Sequence, residues 1–267
     1  MLRFYPPADA GHPGPQVNEM KGEGAGRSMQ VIVFSSQKGG SGKTTLCGQV
    51  AVQAELSGAG PVAIVDTDPQ GSLADWWNAR QVEVPLFMKA QVDYLHEDLD
   101  QLERAGVQLV FIDTPPAVTD TIRKIVGFAD LVVIPTRPSP HDLRAVGATL
   151  DIVESQQKPL IFTINAATPR AKITGDTAVA LSQHGTVAPV KICHRTVYAT
   201  SMIHGLSVME TDPESQAAQE IVGLWEYIAS RLTKPDCRVT RGTGIYQQPR
   251  SSGFGRRKTT RPVAVAG

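Results

Sequence analysis

Short apolar runs rich in β-branched residues recur along the central part of the chain. Nearly continuous apolarity over the length of a strand is typical of strands that are buried on both faces of a sheet. We predict strands at 30–35, 61–66, 84–89, 107–113, 130–136, 159–165 and 187–192. Helical patterns lie between these runs, and we predict helices at 44–57, 93–105, 140–156, 174–184 and 213–232. In the last helix, Pro213 occupies an early position and Asp212 precedes it as the expected N-cap.

This alternation of strands and helices predicts an α/β fold. Right-handed crossovers between successive strands give a doubly wound, mainly parallel sheet with helices on both faces. Ligands of such sheets bind at the carboxyl ends of the strands. We therefore expect the functional residues to follow the strands directly.

The two ends of the chain differ from the centre in composition. Residues 1–28 are rich in Pro and Gly and show no period, and Met29 stands immediately before the first strand. Residues 235–267 are rich in arginine and contain one acid, Asp236. We interpret both ends as disordered tails of a single domain at 29–234, and we expect that translation can begin at Met29.

The segment after the first strand has the residues of a phosphate-binding loop. It reads QKGGSGKTT, from Gln37 to Thr45. Its glycines let the backbone turn N–H groups towards an anion, and the helix that follows adds its positive end. Lys43 is placed to bind the phosphates and Thr44 to ligate Mg²⁺. The ordinary pattern GxxxxGK[ST] requires a glycine where Gln37 stands and does not ask for Lys38, so this loop is a variant.

Acidic residues follow two further strands. VDTDPQG places Asp66 at the end of the second strand and Asp68 two residues later, and LVFIDTPP places Asp113 at the end of another. One aspartate after a strand is often a helix cap or a turn residue. Three of them at the edge of a sheet that already carries a phosphate loop favour a nucleotide site with Mg²⁺.

Four segments in this order resemble the ParA/MinD group of P-loop ATPases: KGGSGKTT, VDTDPQGS, FIDTPP and ADLVVIPTRPSPHDL. They are most similar to the small ParA-type partition ATPases, and the similarity extends from about Met29 to Leu232. The variant loop of this group reads K-G-G-x-x-G-K-[ST], which accounts for Gln37 and Lys38. The resemblance therefore implies a ParA-like P-loop ATPase domain at 29–234.

The resemblance also implies a role for each matching residue. Lys43 binds phosphates within its own subunit, Lys38 reaches the partner's phosphates across an ATP-bound dimer, and Asp68 positions the attacking water. These three are the expected catalytic residues. The expected Mg²⁺ ligands, partly through water, are Thr44, Asp66 and Asp113. The expected ATP-binding residues are Gly39, Gly40, Ser41, Gly42, Lys43, Thr44, Thr45 and, through adenine, Asn165. The guanine-specific pattern N-K-x-D is absent from the sequence, which favours ATP over GTP.

In function, the resemblance implies a Mg²⁺-dependent ATPase that forms a homodimer on binding ATP and is stimulated by a ParB-like or adaptor partner. Such a protein binds double-stranded DNA non-specifically in the ATP state and segregates a plasmid, a chromosome or another cargo. The formal net charge is +0, so DNA binding needs a local basic surface. The candidates lie in the C-terminal third, where small ParA proteins place their DNA contacts: Arg170, Lys172, Lys191, Arg195 and Arg231.

Two alternative functions remain open. A MinD-like membrane-associated ATPase needs an amphipathic C-terminal helix, and GFGRRKTTRPVAVAG has no helical period. A metabolic ligase or synthetase of the dethiobiotin or cobyrinate type is the second alternative, although those enzymes generally do not combine Lys38 with VDTDPQG. The three cysteines are far apart, as in a protein with reduced thiols, and no apolar run has the length of a membrane span. We expect a cytoplasmic, nucleoid-associated protein that does not bind a membrane.

Overall fold

The computed structural model describes residues 29–116 and 120–232, and both predicted tails lie outside these residues. The strands are β1 (Gln30–Phe34), β2 (Val62–Asp66), β3 (Leu86–Lys89), β4 (Leu109–Asp113), β5 (Leu131–Thr136), β6 (Leu160–Ala167) and β7 (Thr186–Cys193). The α-helices are α1 (Lys43–Leu56), α2 (Ser72–Asn78), α3 (Leu95–Arg104), α4 (Asp120–Gly127), α5 (Pro140–Ser155), α6 (Lys172–Ser182), α7 (Thr196–Ile203), α8 (Val208–Thr211) and α9 (Gln216–Leu232). A 3-10 turn, Val92–Tyr94, precedes α3.

The seven strands form one parallel sheet in the order β3-β2-β4-β1-β5-β6-β7. All seven predicted strands are confirmed, and so is the doubly wound α/β fold. The inner strands β2, β4 and β5 are buried at every position, as their continuous apolarity predicts. The P-loop strand β1 lies at the centre of the sheet.

Successive side chains of β1 enter two separate core layers. Val31 and Val33 pack with residues of α3, α4, α5 and α6, whereas Ile32 and Phe34 pack with residues of α1, α2, α7, α8 and α9. Both layers are thus anchored on the strand that leads into the phosphate loop. No helix in the described parts of the chain is long and apolar enough to cross a membrane.

The sequence prediction missed three short helices, namely α4, α7 and α8. The prediction for the start of the last helix was also wrong, because α9 begins at Gln216 and not at Pro213. Asp212 follows the end of α8, where its N–H bonds the Val208 carbonyl. Ser215 performs the expected capping role, since its Oγ accepts a hydrogen bond from the Ala218 N–H at 3.1 Å.

Candidate active site

The phosphate loop connects β1 to α1 through two left-handed glycines. Gly40 has φ +71° and Gly42 has φ +98°, a region that favours glycine. A side-chain carbon at Gly42 would also overlap the Nδ2 of Asn165. Gly42 is therefore required both by its backbone conformation and by the side chain that packs against it.

Asn165, near the end of β6, contacts the loop itself. Its Nδ2 donates a hydrogen bond to the Ser41 carbonyl at 2.7 Å. This bond ties the centre of the phosphate loop to a strand two positions away in the sheet. Sequence reasoning did not foresee this contact, and the adenine contact assigned to Asn165 stays a prediction.

Lys43 and Thr44 begin α1 beside Asp113. Lys43 is 6% exposed, and its burial lowers the pKa of the amine, against the opposing charges of Asp113 and Asp68. The Thr44 Oγ1 donates a hydrogen bond to the Asp113 Oδ2 at 2.6 Å. The register explains why they meet, because Asp113 pairs with Phe34, the last residue of β1, and with Asp66, the last residue of β2.

Asp113 is 1% exposed, and burial raises the pKa of its carboxyl group to about 7. Its Oδ1 has no hydrogen-bond partner among the described residues. Buried polar atoms normally have a hydrogen-bond partner. This oxygen has none, so it is suited to bind a cation or a water molecule held by that cation. With the Thr44 hydroxyl beside it, this carboxylate fits a Mg²⁺ site.

Asp66 holds the turn that follows β2. Its two carboxylate oxygens accept hydrogen bonds from the Asp68 N–H at 2.9 Å and from the Ala74 N–H at 3.1 Å. Burial raises the pKa of Asp66, and these two bonds oppose the rise. Asp66 therefore orients Asp68 and the start of α2, a structural role that the sequence did not reveal. Its expected contact with Mg²⁺ stays a prediction.

Asp68 and Lys38 are the more accessible of the expected catalytic residues. Asp68 is half-buried, and its Oδ1 accepts a hydrogen bond from the Gln70 N–H at 2.9 Å. Lys38 is exposed, as are Gly39 and Gly40 beside it. The structure thus brings Lys43, Thr44, Asp66, Asp68 and Asp113 to one edge of the sheet and leaves Lys38 at the surface of the loop.

A cleft of about 550 Å³ opens over the loop. Its walls also come from elements that the sequence analysis did not connect with the site. These wall residues are Ser72, Asp75 and Trp76 of α2, Arg137 after β5, and Ala199, Met202 and Ile203 of α7. Two of these residues had a sequence signal, because Ser72 ends the segment VDTDPQGS and Arg137 lies within ADLVVIPTRPSPHDL.

The two walls of the cleft are fastened to each other. The Trp76 indole N–H donates a hydrogen bond to the Leu206 carbonyl at 3.1 Å. The Arg80 guanidinium stacks over Trp76, binds the Gly205 carbonyl at 3.0 Å and forms a 2.8 Å ion pair with Glu210. The end of α2 is thereby joined to the connection between α7 and α8.

Three of the DNA-binding candidates are exposed near one edge of the sheet. Arg170 lies between β6 and α6, and Lys172 is the first residue of α6. Lys191 lies on the outermost strand β7 and pairs with Ile164, which pairs in turn with the last residue of β5. These three residues, which we call the basic edge, lie at the carboxyl ends of β6 and β7.

The other two candidates are placed differently. Arg195 forms a 2.8 Å ion pair with Glu220, so its guanidinium is already engaged within the protein. Arg231 donates a hydrogen bond to the Tyr227 hydroxyl at 2.7 Å near the end of α9. The next carbonyl, that of Leu232, accepts a hydrogen bond from Gln30 at the start of β1. Arg231 therefore lies at the amino ends of the strands, opposite the basic edge.

Comparisons with known proteins identify a family and similar folds. Residues 29–190 match the family model described as VirC1 protein. The chain is 28% identical over 204 residues to the maintenance of carboxysome distribution protein A of Halothiobacillus neapolitanus, covering 71% of this chain and 91% of the relative. It is 27% identical over 183 residues to the protein ParA of Rhizobium radiobacter, covering 64% and 81%. In structure it is similar to the septum site-determining protein MinD of Pyrococcus horikoshii, with a TM-score of 0.64, 17% identity and coverage of 75% and 96%.

Proposed function

The chain belongs to the VirC1 protein family, and we propose that it is a Mg²⁺-dependent ATPase of the ParA type that dimerises on ATP and positions a cargo on DNA. One relative is named for carboxysome distribution, another is named ParA, and the MinD neighbour was solved with Mg-ADP. The observation that carries the proposal is the 2.6 Å bond between Thr44 and the buried Asp113, next to the buried Lys43.

This pair is suited to a nucleotide with Mg²⁺. The loop N–H groups and the start of α1 bind the phosphates, and Lys43 adds a positive charge that burial makes more effective. Thr44 and Asp113 would hold the ion, Asp113 through water. When bound, Mg²⁺ would neutralise part of the charge on the phosphates.

Asp68 is the residue best placed to orient the attacking water. Its charge acts on the pKa of Lys43, so the carboxylate lies close to the phosphate-binding amine. The bond from its N–H to Asp66 fixes its backbone, while the side chain remains half-buried. A half-buried carboxylate near the phosphates can accept hydrogen bonds from water and hold that water in line with the terminal phosphate.

Lys38 provides the reason for dimerisation. It lies on the exposed side of the loop, and no side-chain bond holds it among the residues that the structure describes. A lysine at the exposed surface of the loop can complete the site of a second subunit, in the way that an arginine supplied by a partner completes other P-loop NTPases. Two chains would then bury two ATP molecules between them.

The dimer would carry two copies of the basic edge formed by Arg170, Lys172 and Lys191. One subunit alone offers few phosphate contacts, whereas two subunits offer about six, and affinity for DNA rises steeply with this number. ATP would therefore switch on non-specific DNA binding through assembly. Hydrolysis, stimulated by a ParB-like or adaptor partner, would switch it off and release the nucleoid.

Complementation between two inactive variants tests this proposal. Asp68→Ala is expected to bind ATP and accumulate as a dimer without hydrolysis, and Lys38→Ala to bind ATP as a monomer. A heterodimer of the two contains one complete site, with Asp68 from one chain and Lys38 from the other. The mixture should therefore recover phosphate release that neither variant shows alone. Light scattering reports the mass of each species with ATP and with ADP.

Lys158→Ala, a change in the turn before β6, is the matched lysine control and should dimerise and hydrolyse ATP like the wild type. If the mixture stays as inactive as its components, Lys38 does not act across a dimer. If wild type binds no ATP, the assignment of the nucleotide site is itself wrong.

A further inference from the structure

Arg137 occupies a rigid position at the carboxyl end of β5. The residue before it, Thr136, is 1% exposed, and the Ser139 N–H donates a hydrogen bond to the Arg137 carbonyl at 2.7 Å. Ser139 in turn caps α5, because its Oγ accepts a hydrogen bond from the Asp142 N–H at 3.1 Å. The backbone at Arg137 is thus fixed by the strand before it and by the helix cap after it.

The side chain of Arg137 lies beside the phosphate loop. It lines the cleft, and a side-chain carbon added at Gly40 would lie 3.8 Å from its Nη2. Its guanidinium forms no hydrogen bond or ion pair with any residue in the described parts of the chain. A cation held next to an anion-binding loop, with its donors unused, is a ready ligand for phosphate.

The chemistry of the cleft favours an arginine at this point. Among the described residues that line it, the cations are Lys43 and Arg137. Lysine acts on phosphate as a point charge, whereas the planar guanidinium donates two parallel hydrogen bonds to two phosphate oxygens. The two residues can therefore bind the same phosphate chain without competing for the same oxygens.

The position along the loop indicates which phosphate is bound. In P-loops the α- and β-phosphates lie over the loop N–H groups at the start of the helix, and the loop lysine reaches the β- and γ-phosphates. Arg137 approaches the other limb of the loop, at Gly40, on the exposed side that also carries Lys38. The phosphate that projects towards this side is the terminal one.

We propose that Arg137 binds the terminal phosphate of the nucleoside triphosphate in its own subunit and makes the site prefer a triphosphate to a diphosphate. The inference rests on the proposed nucleotide site and adds a residue that sets its specificity. It also explains in chemical terms how hydrolysis would change the state of the site, because loss of the terminal phosphate removes the anion that Arg137 binds.

Calorimetric titration of the full chain with ADP and with a slowly hydrolysed ATP analogue tests the proposal. Loss of a charge-assisted hydrogen bond in Arg137→Ala should weaken the analogue about 10- to 100-fold and leave ADP affinity the same. The affinity of Arg137→Lys for the analogue should lie between those of Arg137→Ala and the wild type, since lysine keeps the charge but cannot donate two parallel hydrogen bonds. Arg144→Ala, an exposed arginine on α5 that does not line the cleft, is the matched control and should bind both nucleotides like wild type.

Equal weakening of the analogue and ADP in Arg137→Ala would overturn the inference, because the contact would then be to a part that both nucleotides share. Unchanged binding of the analogue would also overturn it while leaving the proposed function intact. A wild type that binds neither nucleotide would overturn the proposed function, and this inference with it.

Discussion

The substitution Asp113→Asn separates the effect of the buried carboxylate on folding stability from its proposed role in binding Mg²⁺. Asp113 is 1% exposed, and its raised pKa comes first from burial, opposed by the Thr44 hydrogen bond and the charge of Lys43 and increased by Asp66 and Asp68. Asparagine has nearly the same shape and can accept the same hydrogen bond from Thr44, but it carries no charge. The substitution therefore removes the buried charge and keeps the packing.

The direction of the effect follows from proton binding. In the unfolded chain Asp113 has an ordinary pKa near 3.8, and in the folded protein the pKa is about 7. Between these values the folded state keeps a proton that the unfolded state has released, so stability falls as pH rises through this window. A pKa difference of about 3 corresponds to a loss of about 4 kcal/mol at pH 7.5.

Urea unfolding of the wild type and Asp113→Asn from pH 4 to pH 8, without nucleotide and with a Mg²⁺ chelator, measures this loss. The two should be similar in stability near pH 4, and the variant should be more stable by up to about 4 kcal/mol near pH 7.5. Asp176→Asn, an exposed change on α6, is the control and should follow the wild type. Mg²⁺ with ADP should stabilise the wild type more than the variant. Parallel pH profiles for wild type and Asp113→Asn would refute the reasoning.

Three further outcomes are expected. Lys43→Ala should weaken ATP binding by about 1.5–3 kcal/mol, seen by calorimetry, and an unchanged affinity would contradict its role on the phosphates. A chain beginning at Met29, which is itself fully buried, should keep the melting temperature and ATPase rate of the full chain, and a marked loss of either would show that residues 1–28 stabilise the domain. Arg195→Ala should cost roughly 1.5–3 kcal/mol of stability in urea because it removes the ion pair with Glu220; a variant that keeps its stability but loses DNA binding would restore Arg195 as a DNA contact.

The fold was predictable because its main signal is local. The inner strands β2, β4 and β5 are β-branched apolar runs that their position in a parallel sheet buries completely, so the local pattern reveals them. The outer strands β3 and β7 are only partly buried, but their apolar runs were still recognisable. The short helices α4, α7 and α8 were not predictable in the same way, because helices of this length are stabilised by tertiary packing more than by propensity. The contacts of Trp76 and Arg80 with the α7–α8 connection come from residues more than a hundred positions away in sequence.

The site was predictable where its residues directly follow strands. The register of β1, β2 and β4 brings Asp66 and Asp113 level with the start of the loop, as parallel strands require. The position of Arg137 over Gly40 depends instead on the sheet order, which places β5 next to β1. The position of Arg231 was not predictable from the sequence either, since its distance from the basic edge depends on the direction of α9.

The measurement that tests the central claim most directly is binding of the full chain to a random duplex, followed by fluorescence anisotropy, with ATP and with ADP over a range of salt. A dimer with three phosphate contacts per subunit should bind with ATP, fail to bind with ADP, and show a slope of log affinity against log salt of about −5. Lys172→Ala removes two contacts per dimer and should flatten the slope by about 2 without lowering ATP affinity. Equal DNA binding with ATP and ADP, or no binding even at low salt, would contradict the account.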